Sequence, residues 1–285
     1  TISQFGALPS RGASATAEFI AKQAQERRQK WLSSYTFGQQ LSVSVKELHQ
    51  IYQECSQANW DGYEAMPVAV ETYELAYRFL EALPLGTSAP TLGAEPDGHI
   101  AFEWFQSPRR MLSVSISPEG DLHYAALLGS STHLELSHFT EKHLEDPGYY
   151  PPHHGRMSVQ TPVAADEQLA RFILFSKWFR SDATVRPEAF MPHPHVDLSV
   201  TRHQSLSEHE IWAIGQGVAG VRGVTLYGRA DIRAADALRQ SLNVKSVPVQ
   251  NNPNHANIIG WPEQKPAQKI IALQLAAVAK YRSRP

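Results

Sequence analysis

The residue types best suited to chemistry near neutral pH fall in the second half of this 285-residue chain. Ser199 and Arg202 stand on one segment with strand character, Arg229 follows Tyr227-Gly228, and His255 heads the last apolar run before the C-terminal helix. Arginine grips an oxyanion through parallel N–H bonds and a neutral imidazole moves a proton at pH 7, so together they suit a phosphate or nucleotide substrate handled without a metal. A local role is open to the same residues: His255 can bond within its own strand, and the arginines can pair with Asp197, Asp231 or Glu188. Spacing already divides the set, because Ser199 and Arg202 stand three apart and leave a regular strand from opposite faces.

Other constellations carry less. His193-Pro194-His195 and His153-His154 are close histidine pairs that could ligate a metal if Asp197 or His255 folded beside them. Histidines in proline-rich loops are ordinarily just solvated, and no second ligand cluster accompanies these. Gly215-Gln216-Gly217-Val218-Ala219-Gly220 has some of the glycine spacing of a dinucleotide loop, but it falls at the end of a helical pattern instead of between a strand and a helix. No Walker loop, nucleophile elbow or HExxH helix occurs, so neither a cofactor nor a metal is expected. In the first half, Asn59-Trp60-Asp61-Gly62-Tyr63 reads as a tight turn whose Trp60 plugs a core, or as a partner contact through Trp60 and Asp61. Cys55, the only cysteine, has apolar helical neighbours and reads as a packed thiol in a reducing, cytoplasmic compartment.

The elements that must position these residues follow from periodicity. The first sixteen residues read as a loose arm and Ala17–Trp31 as a helix. Ser44-Val45-Lys46-Glu47 has capping-box form, and Val45, Leu48, Tyr52 and Cys55 repeat at helical spacing behind it. A further helix over Val68–Leu83 ends at Pro84. From residue 90 the period falls to two: His99–Phe105, Met111–Ser117 and Leu122–Leu128 are strands of a half-buried antiparallel meander, with Leu134–Phe139 as a possible fourth. After a proline-rich stretch, Asp166–Phe179 is helix or buried strand. Asp197–Arg202 is a strand, and Ser207-Glu208-His209-Glu210 opens a helix. Val224–Tyr227 and His255–Trp261 are strands flanking a helical Ala234–Leu242, and Pro262–Tyr281 is a final helix with Pro266 in its first turn.

This pattern predicts an α+β fold in two domains: helices plus a meander over residues 1–146, a Pro-rich linker over 147–160, and a small mixed α+β domain over 161–285. Charge divides at nearly the same place. Residues 1–156 hold 11 Lys/Arg against 18 Asp/Glu, a net of −7, and residues 157–285 hold 15 against 10, a net of +5. Opposite charge can dock two domains or mark the basic one for an anionic partner. No apolar run reaches membrane-spanning length, so no membrane role is expected.

Both halves resemble widely distributed bacterial proteins. The first is similar to those with an Asn-Trp-Asp-Gly motif and a Pro-Asp-Gly meander, here Asn59–Gly62, Pro96–Gly98 and Ile100–Trp104. The second is similar to those with Leu198–Val200, Tyr227–Ala230 and a His-Ala-x-Ile-x-Gly-Trp-Pro end at His255–Pro262. The resemblance implies a bacterial source and, with the charge split, a toxin–antitoxin, mobile-element or phage-defence setting. The leading expectation is an interaction or regulatory protein whose basic domain binds nucleic acid through Arg202, Arg229 and Arg233 while the acidic domain recruits another protein. The alternatives are a metal-independent, phosphate- or nucleotide-directed hydrolase using His255, Ser199, Arg202 and Arg229, and a structural subunit of a larger complex, which the loose N-terminal arm and the aromatic linker Tyr149-Tyr150 favour.

Overall fold

A computed structural model of the chain describes residue 22 and residues 35–84, 86–129, 162–192 and 196–285. The N-terminal arm, most of Ala17–Trp31, the strand expected at Leu134–Phe139, the linker over 147–160, Tyr149-Tyr150 and both histidine pairs lie outside the described residues.

The fold is α+β. Helices α1 (Tyr35–Cys55) and α2 (Val70–Ala82) precede an antiparallel meander of β1 (Thr91–Ala94), β2 (Ile100–Ser107), β3 (Arg110–Ile116) and β4 (Leu122–Leu128). A second sheet contains β5 (Gln168–Ile173), β6 (Leu198–Arg202), β7 (Gly228–Arg233), β8 (Asn243–Ser246), β9 (His255–Ile259) and β10 (Lys280–Ser283). Its order is β10-β7-β5-β6-β9-β8, with antiparallel pairing throughout. Helix α3 (Glu208–Arg222) follows β6, the short α4 (Ala234–Leu238) follows β7, and α5 (Lys265–Val278) precedes β10. Among the described residues no helix is long and apolar enough to cross a membrane.

Several elements form for the reasons the sequence offers. Ser207 accepts the Glu210 N–H while the Glu210 carboxylate accepts the Ser207 N–H, so the capping box of α3 closes in both directions. Pro266 occupies the first turn of α5, where its missing N–H costs nothing.

Three expectations are corrected. Ser44 does not cap a helix: α1 runs through it from Tyr35, and Ser44 is buried in its interior, where a serine costs only a few tenths of a kcal/mol. Val224–Tyr227 is not a strand but the link after the left-handed cap at Gly223, and the strand begins at Gly228. The charged Arg229 and Asp231 disguised it, because they are buried as an ion pair. The C-terminal helix stops at Val278, and Tyr281 belongs to β10. The Gly215–Gly220 run lies inside α3, where a Cβ on Gly215 would stand 2.7 Å from the Phe172 ring, so this glycine serves close helix-to-sheet packing.

The meander buries a face that hydropathy alone would leave outside. Ser113 and Ser115 are fully buried, whereas Leu112 is 37% exposed. Met111, Ser113 and Ser115 share the face that α5 covers, where Met111, Ala125 and Leu127 pack with Leu273. The opposite face receives α2, with Phe79 and Phe102 rings 4.7 Å apart. Small serines let α5 approach and accommodate its buried Lys269, whose Nζ donates to Glu95 and to Ser115 Oγ at 2.5 Å each. Burial alone would raise the Glu95 carboxyl, but Lys265 and Lys269 together hold it well below the usual range. Arg180 grips buried Glu103 from the other direction, Nε to Oε1 at 2.9 Å. One continuous apolar cluster runs from Leu48 and Phe102 to Trp178, Ile258 and Leu275, so the meander and the six-stranded sheet share a core.

Candidate active site

The register of β6 on β9 brings two predicted residues together. Thr201 pairs with His255 and Ser199 with Asn257, so Ser199 and His255 are diagonal neighbours on one face of the sheet. Ser199 Oγ stands 2.9 Å from His255 Nε2. His255 Nδ1 lies 2.8 Å from the carbonyl of Val247, which can only accept, so Nδ1 carries the proton. The remaining lone pair on Nε2 then accepts the Ser199 O–H. The Val247 N–H donates to the His255 carbonyl at 2.9 Å, so the strand and the β8–β9 loop hold the ring from both ends. Burial lowers the His255 pKa; the Val247 carbonyl and Asp197 oppose this, while Arg222 and Arg171 reinforce it. The imidazole is therefore neutral at physiological pH.

This pair opens into a cavity of about 400 Å³ lined by Tyr63, Phe172, Val218, Arg222, Val249 and Asn252, among others. Asn252 is buried and donates to Thr201 Oγ1 at 2.8 Å, which fixes the loop over β6. No aspartate or glutamate lines the cavity among the described residues.

One wall comes from the first half of the chain. Asp61 Oδ1 accepts the N–H groups of Tyr63 and Ala65 at 2.7 and 3.1 Å, an Asx turn that leaves the aspartate fully buried. Gly62 sits at φ 73°, and a Cβ there would lie 2.9 Å from Val224, so backbone conformation and close approach both call for glycine. The turn delivers Tyr63 to the cavity, its hydroxyl donating to the Phe172 carbonyl at 3.2 Å. Two guanidiniums lie over its ring, Arg171 at 3.7 Å and Arg222 at 4.4 Å from the centroid. Arg222 Nη1 donates to the Gly62 carbonyl. Arg171 is buried and donates to the carbonyls of Ala189 and Ser199, each at 3.0 Å.

The other predicted residues lie elsewhere. Arg202 turns to Glu167, Nε to Oε1 at 2.8 Å and Nη2 to Oε2 at 2.9 Å, as the three-residue spacing from Ser199 implied. Arg229 is buried against Asp231, reaches Glu208 at 2.8 Å and lies over Trp212. Arg233 is half exposed and lies 3.6 Å from Asp236. None of the three lines the cavity, and two of them are buried on carboxylates instead of forming a basic face. Trp60 packs edge-on against Phe175 and donates to the Met66 carbonyl at 2.9 Å, so Trp60 and Asp61 serve the turn and the core. Burial pushes the Cys55 thiol up, away from nucleophilic use.

Sequence reasoning named Ser199 and His255 but missed Tyr63 and Arg222 as cavity groups and Arg171 as the guanidinium behind the Tyr63 ring. The polar and aromatic character of Asn59–Tyr63 was the signal available for Tyr63. Arg222 gave none, since an arginine in a last helical turn is expected on dipole grounds alone. Glu95, Asp97 and His99 could together face a metal ion. However, Lys265 Nζ lies 2.7 Å and Lys269 Nζ 2.5 Å from the Glu95 oxygens, and Lys265 also bonds Asp97, so ammonium groups take the carboxylates. Compared with protein-family models, curated proteins and solved structures, the chain finds no match.

Proposed function

We propose that the chain is a metal-independent hydrolase of small esters or amides, with Ser199 as nucleophile and His255 as general base. The observation that carries this reading is the 2.9 Å contact of Ser199 Oγ with His255 Nε2, in a ring whose Nδ1 is held by the Val247 carbonyl. Nucleophile, base and orienting acceptor then follow in the order that activates a serine, with a backbone carbonyl in the third place. Ser199 Oγ bonds to the substrate's carbonyl carbon while its proton passes to Nε2. The bond to the leaving oxygen or nitrogen breaks, and the leaving group takes that proton. Water repeats the sequence on the acyl-enzyme, releasing the acid and restoring the serine.

The geometry favours this reading over an interaction protein that binds nucleic acid. That reading needs Arg202 and Arg229 on an open face, and both are buried against carboxylates. The same pairing removes them as phosphate holders for His255. The two segments expected as separate domains act in this reading as one unit, since Tyr63 of the first walls the site of the second.

A fluorophosphonate serine probe tests the assignment. Mass spectrometry of the labelled 285-residue chain should place the adduct on Ser199, and His255→Ala should slow labelling by orders of magnitude. An unlabelled Ser199, combined with no turnover across a panel of 4-nitrophenyl esters, would sink the reading.

A further inference from the structure

We infer that the cavity selects an acyl ester whose acyl chain ends in a carboxylate, and that Arg222 is the residue that binds this carboxylate. The inference rests on the hydrolase reading and names its substrate class.

Charge accounting leads to Arg222. Arg180, Arg202, Arg229 and Arg239 each contact an aspartate or glutamate. Arg222 lines the cavity and has no carboxylate within ion-pair distance among the described residues; its contacts are the Gly62 carbonyl and the Tyr63 ring. Arg171, over the same ring, also spends its hydrogen bonds on carbonyls. Two guanidiniums thus face one aromatic ring beside a cavity whose lining holds no acidic group; Asp61 and Asp197 act on Arg171, whereas Arg222 keeps no carboxylate of its own among the described residues. An anion entering there supplies the charge partner that Arg222 lacks. A cation or a second neutral group would not.

The site also indicates which anion. Attack on a phosphate ester places developing charge on an already anionic centre and calls for several cationic clamps or a metal. Here one guanidinium lines the cavity, and Nη1 is the donor it commits to the protein among the described residues, so a carboxylate can meet its other donors through two oxygens. Phe172, Val218, Val221 and Val249, in a lining that also holds Thr201, Gln250, Asn251 and Asn252, offer apolar surface for a short hydrocarbon chain between that carboxylate and the ester carbon at Ser199. Gly62 and Tyr63 hold the guanidinium in place, which limits the ordering cost on binding.

Two probes of similar length separate the possibilities, 4-nitrophenyl hemisuccinate with a terminal carboxylate and neutral 4-nitrophenyl butyrate. The unaltered 285-residue chain should prefer the hemisuccinate by roughly 10- to 100-fold in kcat/KM, the range expected of a hydrogen-bonded charge pair. Arg222→Gln should bring that ratio close to one, and Arg222→Lys should keep part of it. Calorimetry with hexanoate and hexanamide on Ser199→Ala reads binding without turnover: hexanoate should bind and hexanamide should not, and Arg222→Gln in that background should remove the difference. If butyrate is turned over as fast as hemisuccinate and hexanoate does not bind, the carboxylate assignment is overturned while the serine hydrolase stands. If hexanoate binds through Arg222 but no ester is cleaved, the anion site stands and the hydrolase reading falls. Preference for 4-nitrophenyl phosphate over both esters would overturn the substrate class.

Discussion

The guanidinium of Arg171 lies 3.7 Å above the ring of Tyr63 and donates to the backbone carbonyl of Ser199. A ring carried by the turn after α1 thus underlies the group that holds the proposed nucleophile's strand. Tyr63→Leu leaves a buried charge without its aromatic face and should cost about 2–4 kcal/mol of stability, with a fall in kcat/KM beyond that of Tyr63→Phe. Tyr63→Phe keeps the ring and loses one hydrogen bond, about 1 kcal/mol. Urea unfolding of both variants decides the matter; equal losses would show that the ring face contributes nothing.

Ser199→Ala and His255→Ala should each abolish ester turnover, by roughly 10⁴-fold or more, because the pair acts as one unit and the double variant should lose no more. Neither side chain is fully buried, so melting temperature should move by only a few degrees. Activity that survives both changes would remove the pair from the mechanism.

The acid limb of the pH profile reports His255. Its neutral form accepts the serine proton, so rate rises as pH climbs through its pKa. Burial depresses that pKa below the ordinary histidine value of about 6.5, with Arg222 and Arg171 adding to the effect. Full activity should therefore persist into mildly acidic solution. Arg222→Gln, which removes one neighbouring positive charge, should move the limb of kcat/KM upward in pH. A limb at or above the ordinary value in the unaltered protein would contradict the burial argument.

Glu95 and Lys269 make the opposite kind of prediction, about stability. Lys269→Met leaves Glu95 buried with one partner fewer and should cost about 3–5 kcal/mol, much of it recovered when Glu95→Gln is added. The folded-state pKa of Glu95 is depressed, so its contribution is present above its unfolded value near 4.3 and fades as pH falls toward and through the folded one. Denaturant titrations from pH 7 to pH 3 should show that loss in the unaltered protein and a shallower one in the double variant.

The order of elements was largely legible because it depends on local signals. The period of two over residues 99–128, the Ser207 capping box and Pro266 in a first turn act within a few residues of where they are read. Ser199 and His255 were legible as residue types but not as a pair, because their contact depends on the Thr201–His255 register across 53 intervening positions.

Tertiary structure decided the rest. Arg202 and Arg229 looked like ligand groups until Glu167 and Asp231 took their charge, and Arg222 looked ordinary until it was found at the cavity without a carboxylate. Ser115 faces inward as an acceptor for a lysine from α5, and Ser113 shares its buried face, which no alternation of hydropathy records. The local sequence determined which strands and helices form and supplied a serine and a histidine able to do chemistry. Which charges are neutralised and which face a cavity depends on partners brought together from distant segments, as Tyr63 and Phe172 show across 109 residues of chain.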